Sequence, residues 1–196
     1  MMSGFLRSWL LVMLTAVELL AAAPKSSPEP SPKTSMEQKL AYLQKNSLRA
    51  RPDPQPTQFT EEEINAFVAG RGVKLPAGVH SVRFEGQPGV VTSYAKVDFD
   101  QVRAGSHSAN PLLSIFSGLH DVVIVAQGEA THGEAAIHIE SVSLDGVEVP
   151  NFVLELFVEK FITPKHPNLG IDSRISLPER IDTATVGAHR LTVKQK

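Results

Sequence analysis

Four segments of the chain alternate between apolar and polar side chains, and short turn sequences join them in two pairs. The segments are residues 79–86 and 90–102, around Gln87-Pro88-Gly89, and residues 121–130 and 134–144, around Thr131-His132-Gly133. A period of two places alternate side chains on one face of a strand, and short connections favour antiparallel pairing. The pattern therefore predicts a long antiparallel sheet with one apolar face.

After these strands, residues 151–163 form the most apolar segment of the rest of the chain. Only Glu155, Glu159 and Lys160 form a polar strip on an otherwise apolar helical pattern, with Asn151 as the expected cap and Pro164 as the stop. A helix this apolar is buried or faces an apolar ligand. We therefore predict an α+β fold: a long curled antiparallel sheet of about five to six strands wrapped around a long apolar helix, with short additional helices.

Two of the short helices are predicted from their starting residues. Thr60 can cap the first N–H groups of a helix, with Glu63 as its capping-box partner, and Gly70 or Gly72 ends that helix. Asn110, followed directly by a proline, predicts a second short helix with apolar residues.

The later strands carry further signals. In residues 134–144 the apolar side chains first occupy odd-numbered positions and then, from Val142, even-numbered ones. This change between Glu140 and Ser143 predicts a β-bulge or bend there. A turn is expected at Asp145-Gly146, and strands are expected at 174–186 and 190–195.

The N-terminal region predicts export. Residues 1–23 combine a basic start, an apolar run and small residues at the exit, which is the pattern of a cleavable signal peptide. An uncleaved anchor is the alternative, because Pro24 should hinder cleavage. Residues 24–57 form a proline-rich linker with a short helix at 36–49, and residues 58–196 form the domain. We expect the protein in the periplasm or outside the cell, or tethered to a membrane if the signal is retained.

Charge and cysteine content exclude several classes of protein. The chain has no cysteine, so disulfides and cysteine-ligated metal sites are ruled out. Its net charge of −2 argues against a nucleic-acid partner. Residues 25–57 carry a net positive charge. They either contact an anionic membrane surface or form a solvated linker.

No catalytic motif stands out, and we expect neither an enzyme nor a cofactor. The serines lack a nucleophile elbow. His132 and His138, near Glu134 and Glu140, allow a metal site to be imagined, but histidines on a polar strand face are more often simply exposed. Asp98 and Asp100 are likewise interpreted as part of a solvated face.

Apolar side chains are the better candidates for a binding site. The residues expected to project toward the concave face of the sheet are Ile64, Phe67, Val97, Phe99, Leu112, Phe116, Phe152, Leu156, Phe157 and Phe161. They either line a cavity for an apolar ligand or fill a hydrophobic core, and both alternatives remain open from the sequence.

Two motifs resemble a known family. Residues 59–67, Phe-Thr-Glu-Glu-Glu-Ile-Asn-Ala-Phe, resemble the opening helix of small bacterial envelope proteins of the tubular lipid-binding superfamily, which includes BPI-like and SMP-like domains. Residues 143–150 resemble their strand-to-helix junction, and Ile181 to Val193 their closing strands. The resemblance implies one module with an apolar channel for acyl chains, although the chain lacks the lipid-anchor cysteine of many envelope relatives.

The resulting hypothesis is an exported, non-enzymatic binder of lipid or another apolar ligand. The alternative is a structural or protein-interaction module with a filled hydrophobic core.

Overall fold

The structure, a computed structural model, describes residues 30–103, 110–164 and 166–196. Residues Ser31–Lys196 form one compact unit. The predicted signal peptide of residues 1–23 and the linker up to residue 29 lie outside the described residues.

The helices are short. They are α1 (Pro32–Ser47), α2 (Glu61–Ala69), the single turn α3 (Phe99–Val102) and α4 (Asn151–Phe157), with a 3-10 turn at Pro111–Leu113 and a π-helical segment at Val158–Ile162. The strands are β1 (Thr57–Thr60), β2 (Val79–Gln87), β3 (Val90–Asp98), β4 (Leu119–Thr131), β5 (Glu134–Leu144), β6 (Val147–Glu148), β7 (Asp172–Ser176), β8 (Ile181–Gly187) and β9 (Arg190–Gln195).

All nine described strands belong to one antiparallel sheet. Its main path runs β1-β9-β8-β4-β3-β2, while β5 also pairs with β4, and β6 and β7 pair with β5. Strand β8 meets β4 only at the pair Ala130–Ala184. The hairpin turns on either side bind to β8 as well, since the Gly89 N–H donates to Val186 O at 3.1 Å and the Gly133 N–H to Asp182 O at 2.9 Å. The ribbon of β8, β9 and β1 therefore crosses the tips of the β2–β3 and β4–β5 hairpins.

The antiparallel sheet and both predicted hairpins are confirmed. The bulge is confirmed too: Val125 pairs with Ser141 and Ala126 with Ile139, so Glu140 is the extra residue. It shifts the parity of β5, so that its apolar side chains stay on one face along the whole strand.

The predicted arrangement of sheet and helix is wrong in two respects. The sheet has nine strands among the described residues instead of five to six: β1 and β6 are too short to show a periodicity, and the single strand predicted at 174–186 is two strands, β7 and β8. The part of the chain that the structure describes contains no long apolar helix: α4 ends at Phe157 and a π-helical segment follows, with the Thr163 N–H donating to Val158 O at 2.9 Å. Apolar composition indicates burial, but it does not determine which backbone hydrogen-bond pattern a segment adopts.

Several boundaries also differ from the prediction. Asn151 is the first residue of α4 and makes no side-chain cap, because Pro150 occupies the N-cap position. The strand predicted for 90–102 ends at Asp98, whose carboxylate accepts from the N–H groups of Asp100 and Gln101 and so starts α3. The helix predicted after Asn110 is a single 3-10 turn.

Two hydrophobic cores stabilise the unit. The larger lies between α4 and the faces of β3, β4 and β5, and the smaller joins α1 to β1 and β9 through Leu43, Phe59 and Val193. The helix predicted for residues 36–49 thus begins at Pro32 and packs on the sheet. Buried Asn46 donates to the Gln195 side chain at 2.7 Å, which ties α1 to β9.

Candidate functional site

Four aromatic rings occupy the space between α4 and the sheet. Phe157 lies at their centre, with ring centroids 4.2 Å from Phe116, 5.2 Å from Phe161 and 5.5 Å from Phe99. These are the distances of direct aromatic contact. Phe116 and Phe161 are only 1% and 2% exposed. The interior beside α4 is therefore filled by side chains.

The ten residues predicted to line an apolar cavity do not form one site. Val97, Phe99, Phe116, Phe157 and Phe161 are buried in the large core, and Leu156 packs at its margin. The other four lie elsewhere: Ile64 packs on the small core, Phe67 lies against Gly72, and Leu112 and Phe152 are 46% and 56% exposed. None of the ten lines either of the grooves described below, and their role in ligand binding stays a prediction.

A wide open groove, here called the corner groove, has a volume of about 1120 Å³ and is lined by β4, β5, β7 and β8. Small and apolar residues contribute to it, among them Gly128, Ala130, Ile137 and Ala184. A Cβ atom added to Gly128 would meet nothing within 4 Å. Periodicity could not reveal this groove, because it arises where β8 crosses the end of β4.

Polar residues also line the corner groove. Gln127, His138 and Asp172 stand in register across β4, β5 and β7. His138 Nδ1 lies 2.7 Å from the Asp172 carboxylate, and Glu140 accepts a hydrogen bond from Gln127. The His138 ring therefore binds Asp172 on β7. The metal site considered from the sequence would instead have placed His138 next to Glu140, which binds Gln127. In the described part of the chain, no group of three metal-ligating side chains is placed to hold a metal ion.

A second groove, here called the edge groove, has a volume of about 630 Å³ and follows the outer edge of β2. Its lining residues are Val68, Ala69, Arg71, Val73, Lys74, Leu75, His80, Ser81 and Val82. The sequence contains no motif for it apart from Gly70-Arg71-Gly72, which is too short to form a phosphate loop.

Helix α2 covers the rest of that edge of β2. The Asn65 amide donates to Phe84 O and accepts from the Phe84 N–H, both at 2.8 Å. The Glu61 carboxylate accepts from the Gly86 N–H at 3.0 Å and lies 2.8 Å from His189 Nδ1. The Gly86 N–H is the main cause of the lowered pKa of Glu61, and His189 lowers it further against the effect of burial.

Glu63 is the most buried acidic side chain in the described chain, and its environment is structural. The predicted capping box with Thr60 is confirmed. Its carboxylate also accepts from Lys39 Nζ at 2.6 Å and from the Ser35 hydroxyl. Burial raises the pKa of Glu63, but the bonds from Lys39, Ser35 and the Thr60 N–H outweigh burial, so the pKa lies below its ordinary value. A carboxylate held ionised by three donor groups anchors α1 to α2 and is poorly suited to accept a proton.

The remaining polar clusters also support turns. His120 Nδ1 lies 2.6 Å from the Asp145 carboxylate, and its Nε2 lies 2.8 Å from Ser117 O. The bond to Asp145 is the main cause of the raised pKa of His120. Asp98 caps α3, and Asp100 pairs with Arg103 at 2.8 Å. None of these groups forms a nucleophile–base pair.

Comparisons with known proteins identify no family for this chain. No family model matches it, and neither the curated proteins nor the solved structures contain a significant match. The resemblance to the tubular lipid-binding superfamily therefore stays a prediction. Among the described residues, no helix combines the length and the apolar character needed to cross a membrane.

Proposed function

We propose that residues 31–196 form a non-enzymatic protein-interaction module with a filled interior, whose binding sites lie on its surface. The observation that carries the proposal is the aromatic cluster around Phe157, since those rings occupy the space in which an acyl chain would otherwise lie. The two grooves open at the surface and are formed by strand edges and by hairpin tips.

The polar clusters favour binding over catalysis. Glu63, Asp98 and Asp145 each hold a helix start or a turn through hydrogen bonds to backbone N–H groups. A catalytic acid or base needs a pKa near the working pH and access to a substrate. The lowered pKa values of these three carboxyls do not meet that requirement.

Native mass spectrometry of the purified full chain, combined with extraction of lipids from the same sample, tests this proposal. We expect the mass of the protein alone or of a protein complex, with no lipid in the extract. A stoichiometric lipid that survives purification would contradict the filled interior. If residues 1–23 act as a signal peptide, the partner is a protein of the periplasm or the extracellular space.

Binding of an apolar ligand in the corner groove is the second candidate. Its support is the apolar contribution of Ala130, Ile137 and Ala184 beside the open space at Gly128. Displacement of the dye N-phenylnaphthylamine by fatty acid tests it on the wild type and on Gly128→Leu, which fills the groove without a backbone clash. The corner groove is the ligand site only if Gly128→Leu abolishes displacement while Leu48→Ala leaves it intact. Leu48 is the C-cap of α1, is 83% exposed and does not line the groove.

A further inference from the structure

The edge groove lies beside the last uncovered stretch of β2. Among the described strands, β2 pairs with β3 alone, so its other side has no strand partner. On its other side, Phe84 and Gly86 direct their backbone groups outward, where Asn65, Glu61 and the His189 N–H bind them. Residues two apart in a strand direct their N–H and C=O groups to the same side, so Val82 also directs its groups outward.

No residue in the described ranges forms a hydrogen bond with the outward backbone groups of Val82. The groove at this point is bordered by apolar side chains of α2 and of the following loop, including Val68, Val73 and Leu75. Val73 is 39% exposed. An exposed strand edge next to apolar side chains is the arrangement that accepts an added strand, with backbone bonds for affinity and side-chain pockets for specificity.

The charge of the edge groove is positive, although the whole chain is slightly acidic. Arg71, Lys74 and His80 line it, and none of its lining residues is acidic. Neither Arg71 nor Lys74 forms an ion pair with any residue in the described ranges. Their charges are therefore free to bind the carboxylates of a partner.

The end of α2 places Arg71 at the edge groove. The end of α2 is a Schellman motif: the Gly72 N–H donates to Phe67 O at 2.8 Å, and the Arg71 N–H to Val68 O at 3.1 Å. Arg71 occupies the left-handed position of this motif with φ 58°. Glycine is the usual residue there, yet here the glycines flank the position. Five other described residues that are not glycine have a similar φ of 49–55°, so what sets Arg71 apart is its place in the lining of the edge groove.

We propose that the edge groove binds an extended acidic peptide segment of a partner protein. The segment adds to β2 as a further strand at Val82, and its carboxylates bind Arg71 and Lys74. Its apolar side chains pack between Val68 and Val73. This inference rests on the proposed interaction function and specifies its partner.

Fluorescence polarisation of a fluorescein-labelled peptide of alternating Glu and Val residues tests the proposal on the full chain. We expect saturable binding that weakens about tenfold in each of Arg71→Gly and Lys74→Ala, and no effect of Lys194→Ala at an exposed lysine of β9. Arg71→Gly relieves the left-handed strain, so its melting temperature should rise by about 1–4 °C while its affinity falls. A merely structural Arg71 would not separate these two quantities.

Two further probes identify the mode of binding. A peptide of alternating Lys and Val should not bind, and N-methylation of alternate peptide bonds in the acidic peptide should abolish binding. The proposal is overturned if the acidic peptide fails to bind, if both variants keep the wild-type affinity, or if the N-methylated peptide binds equally well. Binding of phosphatidylglycerol vesicles in place of the peptide also overturns it. None of these results contradicts the wider interaction function, which is tested by the lipid content of the purified protein.

Discussion

Replacement of Phe157 by alanine distinguishes a filled core from a ligand cavity. The ring is 6% exposed and contacts Phe99, Phe116 and Phe161. Its transfer from water contributes about 2 kcal/mol, and the three ring contacts together add roughly 1–3 kcal/mol. We therefore expect Phe157→Ala to lower the free energy of unfolding by about 3–5 kcal/mol, within the range observed for buried Phe→Ala changes.

The assay is urea denaturation followed by circular dichroism, with thermal melts in parallel. For a domain of this size the loss corresponds to a fall in melting temperature of about 6–20 °C. The matched control is Phe152→Ala, because Phe152 lies on the same helix but is 56% exposed. It should change the free energy of unfolding by less than about 0.5 kcal/mol. A loss below about 1.5 kcal/mol for Phe157→Ala, close to that of the control, would refute the argument that the interior is packed.

Three further changes probe the polar contacts. Glu63→Gln keeps a capping-box residue but loses the charge that binds Lys39. Because Lys39 still reaches water, we expect the free energy of unfolding in urea to fall by only about 1–2 kcal/mol. Asn46→Ala removes the donor to Gln195 Oε1 and both side-chain bonds to the backbone of Asp53, and should cost about 2–4 kcal/mol by the same measurement. His120→Gln should destabilise most between the ordinary pKa of aspartate and that of histidine, where the ion pair with Asp145 is intact; a series of melts across pH measures this window.

The sign of the pH effect follows from the two shifts. A raised pKa of His120 contributes stability that is present below the ordinary histidine pKa and is lost as the pH rises through the raised value. A lowered pKa of Asp145 contributes stability that is lost as the pH falls through the lowered value. A pH-independent effect of His120→Gln would show that the ion pair contributes nothing.

Each of these variants has a neighbouring control. Glu62→Gln changes an exposed carboxyl in the same helical turn, and Gln44→Ala an exposed amide of α1. His132→Gln changes an exposed histidine at a hairpin turn. Equal effects in a variant and its control would contradict the contact assigned to that variant.

Local signals in the sequence predicted local structure well. The capping box at Thr60 and Glu63 depends on residues three positions apart, and both bonds form. The parity change near Glu140 identified the bulge, because a slip of one residue would have turned the apolar face of β5 outward.

Distant contacts account for what the sequence did not reveal. Asn46 and Gln195 are 149 residues apart, and nothing near either residue indicates the partner. Strand β1 is formed by its pairing with β9, where Phe59 stands opposite Leu191, and its four residues are too few to show a strand periodicity of their own. The corner groove is a product of such pairings, whereas the lining of the edge groove lies within residues 68–82. Of the ten apolar residues chosen from periodicity, six belong to the large core or its margin, and none lines either groove.

The bond between Asn46 and Gln195 also sets an order of events during synthesis. Helix α1 leaves the ribosome early, but its buried partner on β9 does not exist until residue 195 has been made. Until then, Leu43 and Asn46 have no sheet to pack on, while the β2–β3 and β4–β5 hairpins can already form from neighbouring residues. Helix α1 can therefore bind α2 early, through Lys39 and Ser35 on Glu63, but its buried face can dock on the sheet only when the chain is nearly complete.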